Sequence, residues 1–514
     1  MKTCKDKLCT ADEAVALIRD GATVATSGLV GAAHAEALTA AIERRFKTSG
    51  GPRDLTLLYA AGQGDGKTRG LNHLAHEGLI KRVIGGHWGL APGLGRMAIE
   101  GKIEAYNFPQ GVICHLFRDI AAGRPGCITR IGLDTFIDPR KLGGRLNERT
   151  PAGAVECVEL GGQTWLWYKA LPIDVGLIRA TAADPQGNLI MDDEVMIGEV
   201  LPIAQAVRNS AREGKGLVIA QVKRLLDAPV RPQSVRVPGL FVDCVVVARD
   251  GEHDQTFAES FNEEYCRAAS LNGVETCGTL PMDARRIIAA RACDELLPDS
   301  IVNLGIGMPE GVAAIAAERG LLQDLTLTVE SGPIGGVPAS GLSFGASTRP
   351  HAIIDQPAMF DFYDGRGLDF AAIGAAQIDA LGNVNVSKFG SRVAGVGGFV
   401  NITQSARNLV FCGTFTTGGL EIEVERGTLR IVSEGKIRKF IREVEQLSFA
   451  ATRSRAIGQR VLYVTERAVF ALTDAGLELI EVAPGVDVER DVLGQMEFRP
   501  AVRELKQMPP HVFE

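Results

Sequence analysis

One series of predicted elements occurs twice in this chain. Residues 11–60 contain an apolar helical pattern, a turn, a buried strand at 22–27, a glycine turn, a helix and a second strand. Residues 286–330 repeat the series, with a strand at 301–304 that leads into a glycine loop, a helix and another strand. Strands that alternate with helices are typical of open α/β sheets. The repeat therefore predicts two related α/β halves.

A second landmark follows each copy of the series. Residues 183–189 (Ala-Asp-Pro-Gln-Gly-Asn-Leu) resemble residues 378–384 (Ile-Asp-Ala-Leu-Gly-Asn-Val). In both, an aspartate opens a turn that Gly-Asn closes before a short strand. The interval before the landmark is much longer in the first half, so we predict an insertion at about residues 62–165.

A chain of 514 residues is too long for one ordinary core, which also favours more than one domain. We place the boundary at about 267–285, before a new helix at 284–297. The predicted domains are residues 1–270, which contain the insertion, and residues 284–514. The tail from Lys506 is polar and interrupted by proline, and we expect it to pack on the surface.

The composition excludes several classes of protein. A net charge of −7 gives no overall attraction to nucleic acid or acidic membranes. No run approaches about 18 apolar residues, and no signal-peptide segment follows the charged N-terminus. The ten cysteines are scattered without a Cys-x-x-Cys pair, as in a reducing compartment. We therefore expect a cytoplasmic protein without nucleic-acid or membrane partners.

Glu330 is the strongest candidate for a functional residue. It follows a short, apolar, threonine-rich strand at 325–329 and begins a glycine-rich turn at 330–336. Ligands of open α/β sheets bind beyond the carboxyl ends of the strands, where this turn is expected. A lone glutamate in such a place is more often solvated or caps a helix, so the stretch alone does not decide its role.

The sequence lacks the motifs of several other kinds of site, namely nucleotide-binding loops, a serine nucleophile and a metal centre. Residues 64–68 resemble the end of a phosphate loop, but Ala61 replaces its first glycine, and residues 305–307 lack the third glycine of a dinucleotide fingerprint. Ser331 does not lie in a Gly-x-Ser-x-Gly elbow. His73 and His76 fit one helix face but have no third ligand, so we predict no metal site.

A lone carboxylate among backbone amides has a chemistry of its own. It can attack an activated acyl group without a general base and form an acyl–glutamyl anhydride. The reaction needs hydrogen-bond donors for the tetrahedral oxyanion, which the amides of Gly397 and Gly398 can supply. We therefore predict Glu330, Gly397 and Gly398 as the catalytic set.

The glycine turns together resemble those of family I coenzyme A transferases. Val329-Glu330-Ser331-Gly332 is similar to their Glu-x-Gly motif, although many relatives have Ser-Glu-Asn-Gly there. Four further segments are similar to the family's Gly-x-Gly-x-Pro loop, Gly-x-Gly-Gly loop, N-terminal pattern and C-terminal segment, and these are residues 305–309, 395–399, 27–34 and 477–486. The likeness covers nearly the whole chain, in the fused two-half form, and is greatest to the bacterial short-chain acyl-CoA:acetate or propionate CoA-transferases.

This resemblance implies two open α/β domains of the CoA-transferase type, with the active site at their interface. It implies a ping-pong cycle in which Glu330 forms an acyl anhydride and then a glutamyl-CoA thioester. It also implies that coenzyme A (CoA) is a substrate and not a permanent cofactor, and that Gly305, Gly307, Met308 and Gly395 bind it. A homo-oligomer is the expected assembly, with a tetramer as the form named by the resemblance.

Two other functions fit the same residues. An acyl-CoA hydrolase would use the same site with water as the acceptor. A ligand-sensing module would use related glycine turns without chemistry, because a fold alone does not fix function. A sensor that regulates transcription should carry a basic DNA-binding segment, and the sequence shows none.

Overall fold

The computed structural model of the protein describes residues 3–212, 214, 216–267 and 278–514. The α-helices are α1 (Ala11–Ala16), α2 (Glu36–Ser49), α3 (Pro92–Ile99), α4 (Gln110–Ala121), α5 (Val200–Ser210), α6 (Ala284–Cys293), α7 (Gly311–Glu318), α8 (Gln356–Asp364), α9 (Phe399–Ser405) and α10 (Ala451–Ala456). Within the described ranges, none of the helices combines the length and the apolar character that crossing a bilayer requires.

The strands of the first half are β1 (Thr23–Thr26), β2 (Leu55–Tyr59), β3 (Ile80–Gly85), β4 (Glu104–Asn107), β5 (Gly126–Thr129), β6 (Val155–Leu160), β7 (Gln163–Lys169), β8 (Val175–Ala183), β9 (Leu189–Ile190), β10 (Leu217–Leu225) and β11 (Cys244–Val247). Those of the second half are β12 (Ser300–Leu304), β13 (Leu325–Thr328), β14 (Pro333–Ile334), β15 (Val337–Pro338), β16 (Ser347–Thr348), β17 (Ala352–Ile353), β18 (Phe370–Gly374), β19 (Gln377–Ile378), β20 (Val384–Asn385), β21 (Lys388–Phe389), β22 (Arg392–Val393), β23 (Asn408–Cys412), β24 (Thr416–Thr417), β25 (Glu421–Glu425), β26 (Thr428–Ser433), β27 (Ile437–Arg438), β28 (Arg460–Val464), β29 (Ala468–Thr473), β30 (Gly476–Val482) and β31 (Lys506–Gln507).

Each half is built on a parallel sheet, and the two sheets share one strand order. The first sheet runs β11-β10-β8-β1-β2-β3-β4 with every neighbouring pair parallel. The second contains the parallel series β28-β23-β18-β12-β13, which has the order of β11-β10-β8-β1-β2. Antiparallel strands extend it at both edges, with β29 and β30 at one and β14 and β17 at the other. The prediction of two related α/β halves is confirmed.

The repeated landmark has three equivalent hydrogen bonds in the two halves, and Asp184 also accepts one from the Val230 amide at 3.5 Å. The Asp184 carboxylate accepts bonds from the backbone amides of Gln186 and Asn188 and from Asn188 Nδ2, at 2.9, 2.9 and 3.0 Å. Asp379 accepts the equivalent bonds from Leu381 and Asn383, at 3.0, 3.0 and 2.9 Å. Both aspartates are buried, so each turn depends on a carboxylate that water does not reach.

The stretch predicted as an insertion is not one block. β3, α3 and β4 extend the edge of the first sheet, and β5, β7 and β6 form a small separate sheet. α4, however, precedes β8 as α8 precedes β18, so this helix has a counterpart in the second half. Most of the segment around the predicted domain boundary, residues 268–277, lies outside the described residues, and the domain limits stay a prediction.

The two halves meet through helices and share one apolar core. Val112 and Phe117 of α4 belong to the same buried cluster as Met359 and Tyr363 of α8. The helices approach closely at Gly111, where a β-carbon would lie 2.5 Å from the Phe360 ring. The first residues of α4 are thereby fixed against the second half, and the site described below lies there.

The C-terminal tail does not follow the prediction of a surface segment. β31 pairs with β30, and Met508, Val512 and Phe513 are buried in the core cluster that includes α6. The tail is mostly polar and proline residues, but these three apolar side chains bury surface in the core. This expectation was wrong.

We predict that Asp184→Ala and Asp379→Ala destabilise the protein by similar amounts, about 1–3 kcal/mol each, because each leaves buried amide donors unpaired. Urea unfolding measures the loss. Asp12→Ala is the control, since that exposed side chain pairs only with exposed Arg44 and should change stability by less than about 0.5 kcal/mol. A clear difference between the two buried turns would contradict their equivalence.

Candidate active site

Glu330 lies two residues beyond β13, at the carboxyl edge of the parallel strands. The chain turns at Gly332, which has a φ of +128° and donates its amide to the Val329 carbonyl at 3.0 Å. A β-carbon on Gly332 would lie 2.0 Å from the carbonyl oxygen of Ile354, so the turn requires glycine. This turn places Glu330 in the wall of a cavity of about 380 Å³ that both halves line.

Glu330 is partly exposed as a residue, but its carboxyl group is largely removed from solvent. Burial raises the pKa of its carboxyl group above the ordinary value, and a hydrogen bond from the Asn303 side chain opposes that rise. The backbone of Gly398 lies against the glutamate, since a β-carbon there would be 3.6 Å from Glu330 Cγ. A carboxylate held with so few solvating groups is a stronger nucleophile than one in water.

The cavity brings together most of the glycines predicted from the sequence. Gly305, Gly395, Gly397 and Gly398 line it beside Glu330, although they come from loops up to about 90 residues apart. Gly307 and Met308 do not line it. Gly307 is exposed and Met308 packs against the core of the second half, so their predicted contact with CoA stays a prediction.

The two predicted oxyanion donors differ in availability. The Gly397 amide donates to the carbonyl of Gly86 at 2.8 Å, and the Gly397 carbonyl accepts from the amide of Gln110 at 2.9 Å. Gly397 therefore holds the loop in place, and its donor is already used. Among the described residues no group accepts the Gly398 N–H, which leaves that amide as the candidate donor.

Sequence reasoning missed the residues that the first half contributes. His87 and Gln110 line the cavity, and within the described part of the chain His87 Nδ1, Gln110 Nε2 and Asn303 Oδ1 are buried without a hydrogen-bond partner. An unpaired buried polar atom lowers the stability of the fold by about 1–3 kcal/mol. Three such atoms around one cavity therefore indicate groups that would bond to a ligand. The signal in the sequence was the glycine pair before His87, which lay in the presumed insertion.

The imidazole of His87 is neutral at pH 7. Burial, together with the positive charge of Arg392, lowers its pKa to about 4. A neutral ring beside Glu330 neither neutralises the carboxylate nor competes with it for a proton. Its role in the wall is polar but uncharged.

Asn107 joins the loops of the two halves. Its side-chain amide donates to the carbonyls of Gly85 and Gly86 at 2.9 and 2.5 Å, and its Oδ1 accepts from the Val396 amide at 3.0 Å. The side chain is fully buried. One residue of the first half thus fixes the loop that carries Gly397 and Gly398.

Further bonds complete this attachment. The amides of Trp88 and Gly89 both donate to the Ala394 carbonyl, at 2.7 and 3.0 Å. On the other side, the Gly111 amide donates to Asn401 Oδ1 at 3.1 Å. The segment from Ala394 to Asn401 is therefore held to the first half along its length.

His34, His73 and His76 do not line the cavity. His34 is buried and bonds to Gln63 and Thr39 at 2.8 and 3.0 Å. His73 lies between the carboxylates of Glu36 and Glu43, at 2.9 and 2.6 Å. Across the residues that the structure describes, no group of side chains fits a metal ion.

Comparison with known proteins agrees with this site. The family model described as Coenzyme A transferase matches residues 9–248. Acetate CoA-transferase YdiF of Escherichia coli (strain K12) is 41% identical over 507 residues, which cover 98% of this chain and 94% of that protein. The caffeate CoA-transferase of Acetobacterium woodii is 41% identical over 514 residues, 99% of this chain and 97% of that protein.

Solved structures give the same result. The crystal structure of the acyl-CoA transferase YdiF from E. coli O157:H7, in its thioester complex with CoA, matches with a TM-score of 0.92 and 40% identity. The match covers 99% of this chain and 96% of that one. The chain belongs to the coenzyme A transferase family. The recognition made from the motifs, the fold class and the enzyme class are confirmed.

We predict that Asn107→Ala lowers kcat for CoA transfer about 10- to 100-fold with little change in KM, because the loop that carries Gly398 shifts relative to Glu330. Steady-state kinetics with purified variants measure it. Asn147→Ala is a matched control: Asn147 also donates to two carbonyls, of Ala98 and Ile103, and accepts from Thr150, but it does not contact the loop. Equal effects on kcat would show that Asn107 acts only through stability.

Proposed function

We propose that this protein transfers CoA reversibly between a short-chain acyl-CoA and a carboxylic acid such as acetate or propionate, with Glu330 as the covalent nucleophile. The observation that carries the proposal is the position of Glu330. It is a partly exposed carboxylate in a cavity that both halves line, with the backbone of Gly398 against it and the unpaired Gln110 Nε2 in the same wall. The curated relatives named for acetate and caffeate support CoA transfer to carboxylates.

The proposed cycle begins with attack of a Glu330 carboxylate oxygen on the thioester carbonyl carbon. The carbon–sulfur bond breaks, and the CoA thiolate leaves an acyl–glutamyl anhydride. The thiolate then attacks the Glu330 carbonyl carbon and releases the acyl group as a free carboxylate. The product on the enzyme is a glutamyl-CoA thioester, and an acceptor carboxylate reverses both steps without any net change in protons.

Each tetrahedral intermediate places a negative charge on a former carbonyl oxygen. Gln110 Nε2 and the Gly398 amide are the donors that we assign to this charge, because both face the site without another acceptor among the described residues. Loss of one such donor typically lowers the rate about 10²–10³-fold. Gly397 and Asn107 act by positioning Gly398.

Several parts of the prediction are retained as proposals. CoA would enter as substrate, with Gly305 and Gly395 at the cavity wall. The homo-oligomer, with a tetramer as one form, rests on the family resemblance, and the cytoplasmic location rests on composition. Hydrolysis by the same site differs in one observable, the release of free CoA without an acceptor acid.

We predict that incubation with acetyl-CoA alone adds the mass of CoA, less one water, to the peptide that carries Glu330, and that Glu330→Gln abolishes both this adduct and CoA transfer, by at least about 10³-fold. Peptide mass spectrometry and a transfer assay measure the two effects. Glu318→Gln, at the distant end of α7, should leave both unchanged. An adduct on another residue, or release of CoA at the full rate without acceptor, would contradict the proposal.

The raised pKa of Glu330 has a defined effect on stability. The folded state favours the protonated form, so ionisation of Glu330 destabilises the fold as the pH rises above the ordinary pKa of about 4.3. We therefore predict that Glu330→Gln is more stable than the wild type at pH 7 and that the difference shrinks as the pH falls towards 4. Urea unfolding across this range tests it, and a Gln variant less stable at pH 7 would be the contrary result.

A further inference from the structure

The first glycine turn contains a residue with an unusual backbone. Val30 has a φ of +56°, in the left-handed region that a β-branched side chain rarely adopts. Two hydrogen bonds hold it there: its amide donates to the Gly62 carbonyl at 2.7 Å, and its carbonyl accepts from the Gly64 amide at 2.8 Å. Glycine would make the same turn without steric cost. Valine at this position therefore carries a steric cost that glycine would avoid.

Val30 lines the cavity that contains Glu330. Leu29 and Leu90 of the first half and Phe344 of the second lie in the same wall. Val30 also belongs to a buried apolar cluster with Ala61 and Phe344. These side chains form one apolar end of the cavity, which we name the apolar end wall: Leu29, Val30, Leu90 and Phe344.

The cavity has a closed end and an open end. Ile306, beyond β12, is 55% exposed, whereas Val30 is 3% exposed. The glycine and alanine residues beyond β18 lie with Ile306 in the cavity wall, beyond the carboxyl ends of neighbouring strands. We place the long pantetheine arm of CoA at the open end, beside the exposed Ile306. The acyl group, on the far side of the thioester carbonyl, then points to the apolar end wall.

We propose that Val30 determines the acyl-chain specificity of the enzyme, because its side chain closes the apolar end wall and limits the length of the acyl group. The inference rests on the proposed function, since it needs an acyl-CoA in the cavity. It adds a specificity-determining residue and a substrate class: acyl groups that are short and apolar. The left-handed backbone directs a branched side chain where glycine would leave open space.

The test compares two substitutions in one loop. Val30→Gly removes the side chain at a φ that glycine accepts readily, so the backbone of the turn is retained. Ala33→Gly is the matched control, because Ala33 has a φ of +53° and is fully buried but does not line the cavity. For the wild type and both variants, kcat/KM is measured with acetyl-, butanoyl- and hexanoyl-CoA as donors and acetate or propionate as acceptor.

We expect Val30→Gly to raise the hexanoyl-to-acetyl ratio of kcat/KM by about tenfold or more, the discrimination that small changes in an apolar pocket give. Ala33→Gly should leave the ratio unchanged. A constant ratio in Val30→Gly, or an equal shift in both variants, overturns the inference. Either result would leave the proposed function intact, because that function fails only if the wild type transfers no CoA or if Glu330 carries no adduct.

Discussion

The hydrogen bonds between the two halves at one glycine loop are the constraint on which the site depends. Glu330 comes from the second sheet, whereas Gln110 and His87 come from the first half. Covalent transfer needs these groups within a fraction of an ångström of their working positions. Asn107 and the carbonyl of Gly86 fix the Val396 and Gly397 amides and so hold the loop with Gly398 against Glu330, the proposed nucleophile. The close approach also explains the glycines, since a β-carbon on Gly395 would lie 2.8 Å from the Gly86 carbonyl oxygen.

The sequence predicted those parts of the structure that depend on interactions between residues close together in the chain. The repeated strands, the turn at Glu330 and the glycine loops were all visible in the sequence, because strand periodicity and turn residues act over short stretches. The pairing of Asn107 with Val396 joins residues 289 positions apart, and no local pattern reports it. For the same reason the segment with His87 and Gln110 was predicted as an insertion, although four of its residues, Gly62, His87, Leu90 and Gln110, line the cavity.

The less accurate predictions have physical causes of the same kind. The tail was expected on the surface because polar and proline residues dominate its composition, but burial of Val512 and Phe513 outweighs their polar neighbours. Gly397 was predicted as a donor because a glycine amide is accessible in principle. In the structure it is consumed by a tertiary hydrogen bond, while the adjacent Gly398 remains available. The sequence motif marks both residues and cannot distinguish their roles.

The internal repeat also explains why the protein has a single candidate site among its described residues. The helices correspond between the halves: α4 matches α8, and α5 matches α9. Gln110 and Gln356 begin the first pair of helices, and Glu199 and Gly398 precede the second pair. Glu199 therefore occupies in the first half the position that Gly398 occupies in the second.

That matching place is filled by its own hydrogen bonds. Ser27 Oγ donates to the Glu199 carboxylate at 2.8 Å, the Cys114 thiol donates to it at 3.2 Å, and burial raises the pKa of Glu199 to about 7. The turn after β2 has Ala61 where the turn after β13 has Glu330, as the registers of β1 with β2 and β12 with β13 show. In the first half the corresponding place is thus filled by internal hydrogen bonds, whereas in the second half Glu330 faces the cavity. The first half adds Gln110, one of the two proposed donors, and part of the cavity wall.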